Sequence, residues 1–231
     1  MQKFKVFPKF GRLAGTVWVL FIIAGSFLSG GCCTQYTNLA QYKAELRHYH
    51  DSQYGPDINR QIKKAENYLQ TRVHAGETNL ALILDIDETS LSNWQNIAGT
   101  NRDAMDFGFN AAQFENWQQK GAATAIVPTL RLFNEAQQAH VNVFFVTGRP
   151  DRLQAITETN LLRAGYAGWT GIFLRPQNGP PTVTAYKSGV RRQISNQGYV
   201  IILNIGDQWS DLNGGYAEKM IKLPNPFYFI P

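Results

Sequence analysis

The chain has 231 residues, of which 44% are hydrophobic and 13% aromatic, and this is enough apolar material for one main domain with a sizeable core. Its formal net charge of +5 comes largely from four basic residues near its start, and the remainder carries eighteen basic residues against seventeen acidic ones. This nearly neutral remainder has no basic stripe, which excludes nucleic acid as the expected partner.

The N-terminus has the organisation of a targeting segment. Basic residues precede an apolar run from Leu13 to Leu28, and small residues follow the run. This pattern predicts a secretory signal peptide over residues 1–31. The alternative is a permanent membrane anchor, but the run is shorter than the roughly 20 residues that a spanning helix prefers. We therefore expect an exported protein.

The two cysteines, Cys32 and Cys33, lie at the expected cleavage point. The stretch Leu-Ser-Gly-Gly-Cys resembles the lipobox of bacterial lipoproteins, in which the cysteine becomes lipidated. Leu28 departs from that pattern because it lies one position too far upstream of Cys32. Two outcomes stay open: a lipid on Cys32, giving a periplasmic or outer-membrane lipoprotein of a bacterium, or cleavage and secretion without a lipid. Beyond this pair no internal disulfide is expected.

The segment from residue 32 to residue 78 is predicted to be helical. Apolar residues recur at helical spacing from Ile58 to Val73, and Asp57, which follows Pro56, is expected to cap this helix. The sequence leaves open whether the segment joins a cap or only links the N-terminus to the main domain. Residues 79–231 form the expected main domain, with an aromatic insert at about residues 90–125.

Continuous apolar runs alternate with helical patterns along the main domain. In chain order these are a strand at 79–87, a helix at 128–139, a strand at 141–149, a helix at 151–166, a strand at 170–175, a short helix at 186–198, and a strand in 199–212 that runs into an acidic loop. This alternation is typical of a parallel sheet covered on both faces. We predict an α/β fold, a Rossmann-like parallel sheet with helices on both faces, plus a small helical cap.

Polar residues follow the predicted strands at the edge where such sheets bind ligands. In chain order they are Asp85, Asp87, Thr147, Lys187, Asp207 and Asp211. Clustered carboxylates repel unless a metal ion or a phosphate holds them, and hard oxygen ligands suit Mg²⁺. A lysine and a hydroxyl suit phosphate oxygens. The set therefore predicts a site for a phosphate that is held by a cation.

Paired carboxylates also suit phosphoryl chemistry. An aspartate, with an ordinary pKa of roughly 3.9, is ionised at neutral pH and attacks phosphorus without a base. A second carboxyl close by keeps its proton to a higher pH. It can protonate the leaving oxygen and later deprotonate water.

Four motifs, taken in order, resemble those of the haloacid dehalogenase (HAD) superfamily of phosphatases. They are DIDET from Asp85, FFVTGR ending at Arg149, Lys187 in YKSG, and GDQWSDL ending at Leu212. A finer resemblance, over residues 80–231, is to the acid phosphatase branch, which holds bacterial lipoprotein acid phosphatases and plant vegetative-storage-type acid phosphatases. The main domain is then a phosphatase domain whose cap is the insert at about 90–125.

The resemblance implies a role for each matching residue. It implies that Asp85 is the nucleophile that becomes an aspartyl-phosphate, and that Asp87 is the general acid and base whose backbone carbonyl also ligates Mg²⁺. It implies that Asp207 is a metal ligand and that Asp211 supports the metal shell, which makes a metal site of four aspartates. The expected substrate-binding residues are Thr89, Thr147, Gly148 and Lys187.

The leading interpretation is an exported, Mg²⁺-dependent acid phosphatase that hydrolyses small organic phosphomonoesters, with nucleotides as one candidate class. Trp94, Phe107, Phe109 and Trp117 of the insert either stack on an aromatic substrate or form the core of the cap. Arg149 either pairs with a carboxylate or contacts phosphate. The alternative function is a surface lipoprotein that stores or binds phosphate and turns over weakly. Asp85 argues against it, because some storage proteins of the branch lack this aspartate.

Overall fold

The computed structural model describes residues 38–99 and 104–230. The predicted signal peptide and Cys32 lie outside these residues. Among the residues described, no helix combines the length and the apolar character that crossing a membrane requires.

Helices and strands alternate along the described chain. The helices are α1 Leu39–Tyr49, α2 Gly55–His74, α3 Trp94–Ile97, α4 Ala111–Gln118, α5 Val127–Gln138, α6 Gln154–Arg163, α7 Val183–Asn196 and α8 Trp209–Leu212. The strands are β1 Leu80–Leu84, β2 Leu91–Ser92, β3 Thr124–Ala125, β4 Asn142–Pro150, β5 Gly171–Arg175, β6 Val200–Gly206 and β7 Lys219–Lys222.

Five strands form a parallel sheet in the order β5-β4-β1-β6-β7. At the end of the central strand, Leu84 lies opposite Phe145 of β4 and Ile205 of β6. The chain runs from β1 to β4 and β5, and later returns to β6 on the other side of β1. Open sheets bind ligands at such a change of direction, beyond the carboxyl ends of the strands. Asp85, the residue that follows β1, lies at this point.

The central strand is buried on both faces because its alternate side chains enter two different cores. Ala81 and Ile83 belong to a core with residues of α7, whereas Leu82 and Leu84 belong to a larger core with residues of α2 and α5. Burying a leucine or isoleucine side chain stabilises the fold by about 1.5–3 kcal/mol, so these alternating contacts hold the sheet between two helical layers. The predicted α/β fold is confirmed.

The N-terminal helices form one continuous helical segment. A π-helical turn, His50–Tyr54, joins α1 to α2 with helical backbone angles throughout. The prediction that Asp57 caps a helix is therefore wrong, because the helix has already begun at this point. Its carboxylate accepts a hydrogen bond from the Tyr49 hydroxyl at 3.0 Å and pairs with Arg60 at 2.9 Å.

The same segment packs on the aromatic insert and on the C-terminal tail. The rings of His50 and Trp94 stack with centroids 3.5 Å apart, and Tyr54 meets Phe227 edge-on at 5.1 Å. Phe107 completes the group at 5.8 Å from Trp94. Trp94 and Phe107 therefore belong to a packed cluster, and the segment does more than link the N-terminus to the main domain.

The insert between β1 and α5 contains α3, α4 and a small ribbon. Strands β2 and β3 pair antiparallel, with Leu91 opposite Ala125 and Ser92 opposite Thr124. Strands β2 and β3 lie near the two ends of the insert, so their pairing holds these ends together, and α4 lies between them in the chain and outside the main sheet. This arrangement fits the predicted cap, and the division of the chain into a signal peptide, an N-terminal segment and a capped phosphatase domain remains a prediction.

A fifth strand of the sheet, β7, was not predicted from the sequence. It has only four residues, and its side chains alternate between buried Ile221 and half-exposed Met220, so it lacks the continuous apolar run of the central strands. Pairing with β6 stabilises it. Beyond β7 the tail is buried again at Phe227 and Tyr228.

Candidate active site

Three buried carboxylates meet at the carboxyl edge of the sheet. Asp85 follows β1, Asp207 follows β6, and Asp211 lies in α8. One oxygen of each carboxylate lies within 4.8 Å of the other two. The topology brings the first and last predicted acidic motifs together because β1 and β6 are neighbours in the sheet.

Lys187 lies between two of these carboxylates. Its ammonium group donates to Oδ1 of Asp85 and, at 2.7 Å, to Oδ1 of Asp211. The helix that carries it starts earlier than predicted, at Val183, because the Thr182 hydroxyl caps it by accepting the Ala185 N–H at 3.1 Å. Lys187 is therefore a buried helical residue and not a loop residue.

Burial and mutual repulsion shape the protonation of this cluster. Burial raises the pKa of Asp85 well above its ordinary value, and Asp211 and Asp207 add to this rise although Lys187 opposes it. Burial, together with Asp211, raises the pKa of Asp207 to about 7. Burial disfavours the charged form of Lys187, but Asp211 and Asp85 outweigh this effect and raise the pKa of the lysine.

The donor set fits a divalent cation. Three carboxylates and one ammonium group leave an excess of two negative charges in a buried space when all are ionised. Carboxylate oxygens are hard ligands of the kind that Mg²⁺ and similar ions take. The Asp87 side chain is not part of this group, and the implied role of its backbone carbonyl toward the metal remains a prediction.

Close backbone packing holds Asp207 and Asp211 in position. A Cβ atom on Gly206 would lie 2.4 Å from Cβ of Asp211, so the strand has to end on glycine for α8 to approach. The N–H of Gln208 donates to Asp211 Oδ2 at 2.8 Å. The side chains of Gln208 and Asn225 donate to Asp207 Oδ2 at 2.8 and 2.7 Å. Contacts within the chain thus hold the carboxylates of the acidic loop.

Asp87 lies beside this cluster, and Arg149, Asn93 and Gln118 hold its two oxygens by five donor contacts. Arg149 contributes a bidentate ion pair, with Nη2 at 2.6 Å from Oδ1 and Nε at 3.0 Å from Oδ2. Asn93 donates to Oδ1 at 2.8 Å, and Gln118 donates to Oδ2 at 3.1 Å. The sequence left two roles open for Arg149, and in the structure Arg149 pairs with a carboxylate.

Glu88 is the third acid of the DIDET motif, and sequence reasoning gave it no role. Its backbone has a φ of 53°, which is strained for a residue with a side chain. Three contacts hold it there: the Asn93 N–H and side-chain amide donate at 2.6 and 2.9 Å, and the Tyr228 hydroxyl donates at 2.8 Å. Burial, together with Asp87, raises its pKa to about 7. Glu88 thus ties the motif to the insert and the tail.

The predicted phosphate contacts differ in their surroundings. The Thr89 hydroxyl donates to Asp207 Oδ1 at 3.3 Å, and the Thr147 hydroxyl accepts the Arg149 N–H at 3.1 Å. Both threonines are fully buried, whereas Gly148 is exposed and lines the cavity described below. Their roles toward phosphate remain predictions.

A cavity of about 300 Å³ opens over the cluster. Its wall includes Asp85, Asp87, Gly148, Arg149, Arg175, Lys187, Asp207 and Asp211 from the sheet edge and the helices α7 and α8, and Phe109, Phe114, Glu115, Gln118 and Tyr228 from the insert and the tail. Of the four aromatic residues singled out in the insert, Phe109 lines the cavity, whereas Trp94, Phe107 and Trp117 are absent from the described wall. Trp117 donates from Nε1 to Asn93 at 2.8 Å, so it supports the residue that holds Asp87.

The body of the chain matches one protein family. Residues 33–231 match the model of the HAD superfamily, subfamily IIIB (acid phosphatase). The chain belongs to this acid phosphatase family. The predicted resemblance and the predicted enzyme class are thereby confirmed.

Two relatives and one solved structure are similar to this chain. The chain is 34% identical over 193 residues to stem 28 kDa glycoprotein of Glycine max, covering 81% of this chain and 74% of that protein. It is 34% identical over 179 residues to acid phosphatase 1 of Solanum lycopersicum, covering 77% and 69%. The class C acid phosphatase from Bacillus anthracis, solved with tungstate bound, superposes with a TM-score of 0.65 at 19% identity and covers 83% of this chain and 86% of its own. At that identity the likeness shows the fold.

Four further residues near the site had no role or an open role in the sequence analysis. Arg149 stands in the second motif, so its place near the acids could be inferred, but its partner could not. Gln118 and Arg175 lie in no motif, and Tyr228 lies in the C-terminal stretch 222–231, which also resembles the acid phosphatase branch. The cavity wall brings these three residues together. The catalytic, substrate-binding and metal roles of the motif residues remain predictions.

Proposed function

We propose that this acid phosphatase is an exported phosphomonoesterase that depends on Mg²⁺ and works through an aspartyl-phosphate on Asp85. One observation carries the proposal: Asp85 lies at the floor of the cavity, beside Lys187 and two further buried aspartates. Lys187 engages Oδ1 of Asp85, and none of the described residues donates a hydrogen bond to Oδ2. That oxygen is available as the nucleophile.

In the first half of the reaction, Asp85 Oδ2 attacks the phosphorus atom and the bond from phosphorus to the leaving oxygen breaks. Asp87 gives a proton to that oxygen, so that an alcohol leaves. In the second half, Asp87 takes a proton from water, the water oxygen attacks phosphorus, and the bond to Asp85 breaks to release inorganic phosphate.

Lys187 and the metal ligands set the charge of the site. Lys187 is fixed by two carboxylates and presents its charge where a phosphate oxygen would approach Asp85. Asp85, Asp207 and Asp211, with the backbone carbonyl of Asp87, would hold Mg²⁺. When bound, Mg²⁺ supplies positive charge that shields the phosphate from the carboxylates around it.

Metal dependence is the direct test of the proposal. We expect hydrolysis of p-nitrophenyl phosphate with Mg²⁺ and a loss of at least about 100-fold after EDTA treatment, because the buried acids then repel the substrate dianion. Added Mg²⁺ should restore the activity. Equal rates in Mg²⁺ and in EDTA would contradict the metal part of the proposal, and a second measurement with Ca²⁺ and Zn²⁺ would show whether Mg²⁺ is the preferred ion.

The Asp87→Asn variant tests the proton transfer. A general acid matters most for a leaving group that is a strong base. The kcat/KM of the variant should therefore fall by about 10²- to 10⁴-fold for glycerol 3-phosphate, whose leaving group is an alkoxide, and far less for p-nitrophenyl phosphate. Comparing kcat/KM for the two substrates isolates that step. Equal losses on both substrates would assign Asp87 to positioning and not to proton transfer.

Export and substrate range are also part of the proposal. The basic and apolar N-terminal sequence supports export, with a lipid on Cys32 or without one. The tungstate in the class C acid phosphatase structure supports an oxyanion as ligand of this fold. A cavity of about 300 Å³, with Phe109 and Phe114 in its wall, suits a small organic phosphomonoester, and nucleotides are one candidate class.

A further inference from the structure

Three cationic side chains line the cavity, and two of them are already neutralised. Lys187 pairs with Asp85 and Asp211, and Arg149 pairs with Asp87. Arg175 is different: within the described parts of the chain it forms no ion pair with any carboxylate. A cation that lines a ligand cavity and has no counter-charge is a binding group for an anion.

The backbone holds Arg175 in place. It ends β5, where it lies opposite Pro150 of β4. Its Nη2 atom donates to the carbonyl oxygens of Pro180 and Pro181 at 2.9 and 3.0 Å. These contacts fix one edge of the guanidinium group, and none of the described residues accepts from Nε or Nη1. The group is thus positioned by the fold while most of its donors stay free.

Glu115, which lines the cavity outside the aspartate cluster, is engaged elsewhere. It forms an ion pair with Arg152, in which Nε lies 3.0 Å from Oε1. Among the described residues, neither Glu115 nor the aspartates of the wall pairs with Arg175. The guanidinium charge of Arg175 is therefore not bound by a carboxylate of the cavity wall.

The sheet separates Arg175 from the nucleophile by two strand spacings. Asp85 follows β1, Arg175 ends β5, and β4 lies between them. Neighbouring strands are about 4.8 Å apart, so the two backbones lie about 10 Å apart across the sheet. With the phosphoryl group at Asp85, the rest of the substrate could extend across this distance toward Arg175. Arg175 is thus placed to meet the leaving group and not the transferred phosphate.

We propose that Arg175 forms an anion subsite that selects phosphomonoesters with a second anionic group, a carboxylate or another phosphate, on the leaving group. The inference rests on the proposed function because it assumes that the phosphoryl group lies at Asp85. Nε and Nη1 would donate to the second anion, and the Pro180 and Pro181 carbonyls would hold the guanidinium group in its orientation.

The experiment uses matched substrate pairs that differ by one anionic group. Glycerol 3-phosphate and 3-phosphoglycerate differ by a carboxylate, and fructose 6-phosphate and fructose 1,6-bisphosphate differ by a phosphate farther from the reacting group. We expect the wild type to prefer the more anionic member of at least one pair by about tenfold in kcat/KM. Arg175→Gln should abolish that preference, and Arg175→Lys should keep part of it.

Arg152→Gln is the matched control, because Arg152 lies near the same mouth but is already paired with Glu115. It should leave the ratio within each pair unchanged. No preference in the wild type for either pair, or a ratio that Arg175→Gln does not alter, would overturn the inference. If Arg175 contacted the transferred phosphate instead, Arg175→Gln would lower kcat/KM equally for both members of a pair. The ratio of the two kcat/KM values would then stay unchanged, and this result would also reject the proposed subsite.

A binding measurement separates this inference from the proposed function. The affinities of the same pairs can be measured by calorimetry on the Asp85→Asn variant, with and without Arg175→Gln, and this readout needs no turnover. A tenfold affinity difference that disappears with Arg175→Gln supports the subsite even where the wild type hydrolyses nothing. Equal affinities in both backgrounds reject the subsite even where the wild type is an active phosphatase.

Discussion

The Asp85→Asn variant is expected to lose phosphatase activity by at least about 10³-fold and to keep its fold. Removal of a nucleophile leaves only the catalysis that binding and charge provide, and losses of this size or larger follow in other enzymes. Stability should not fall, because burial disfavours the ionised form of Asp85 and the neutral amide removes one of three crowded charges. Hydrolysis of p-nitrophenyl phosphate with Mg²⁺, and thermal unfolding in EDTA, measure the two effects.

The matched control is Asp151→Asn, the same substitution at an exposed aspartate outside the described cavity wall. It should keep the wild-type rate. Activity of Asp85→Asn within tenfold of the wild type would exclude Asp85 as the nucleophile. A wild type that is inactive under every metal condition would favour the alternative function, a storage or phosphate-binding protein with this fold.

The Lys187→Met variant is expected to be the most destabilising of the substitutions considered. Lys187 is the ammonium group that contacts both Asp85 and Asp211, and removal of one partner from a buried ion pair typically costs about 3–5 kcal/mol. Activity should fall by at least about 100-fold, because one charge near the transferred phosphate is lost. Urea unfolding in EDTA measures the first effect and kcat/KM the second.

Metal ions should compensate for part of this loss. Without Lys187, no ammonium group offsets the repulsion among the three carboxylates, so Mg²⁺ should stabilise Lys187→Met more than it stabilises the wild type. Lys64→Met, at an exposed lysine bonded to Gln61, is the control and should change the free energy of unfolding by less than about 0.5 kcal/mol. Equal stabilities of the two variants would show that the ion pairs of Lys187 contribute nothing measurable. If Lys187→Met does not fold, Lys187→Arg, which keeps the charge, should fold.

The main features of the fold could be predicted from the sequence because they depend on neighbouring residues. Continuous apolar runs indicated β1, β4 and β6, and helical spacing indicated α2, α5 and α6. The short, half-exposed β7 escaped prediction because only pairing with β6 makes it a strand. The prediction that Asp57 caps a helix was wrong because a π-helical turn joins the preceding helix to α2. The spacing of apolar residues does not predict such a turn.

The sequence by itself determined the family, the α/β fold and the acids that lie at one edge of the sheet, because the motifs and the apolar strands follow one another along the chain in a recognisable sequence. The tertiary structure decided which groups pair. Asp87 meets Arg149 across 62 residues, and Lys187 meets Asp85 across 102. Such partners depend on which strands lie side by side and how their ends align, and no local pattern contains that information. For the same reason, only the folded chain reveals that Arg175 faces the cavity without a counter-charge.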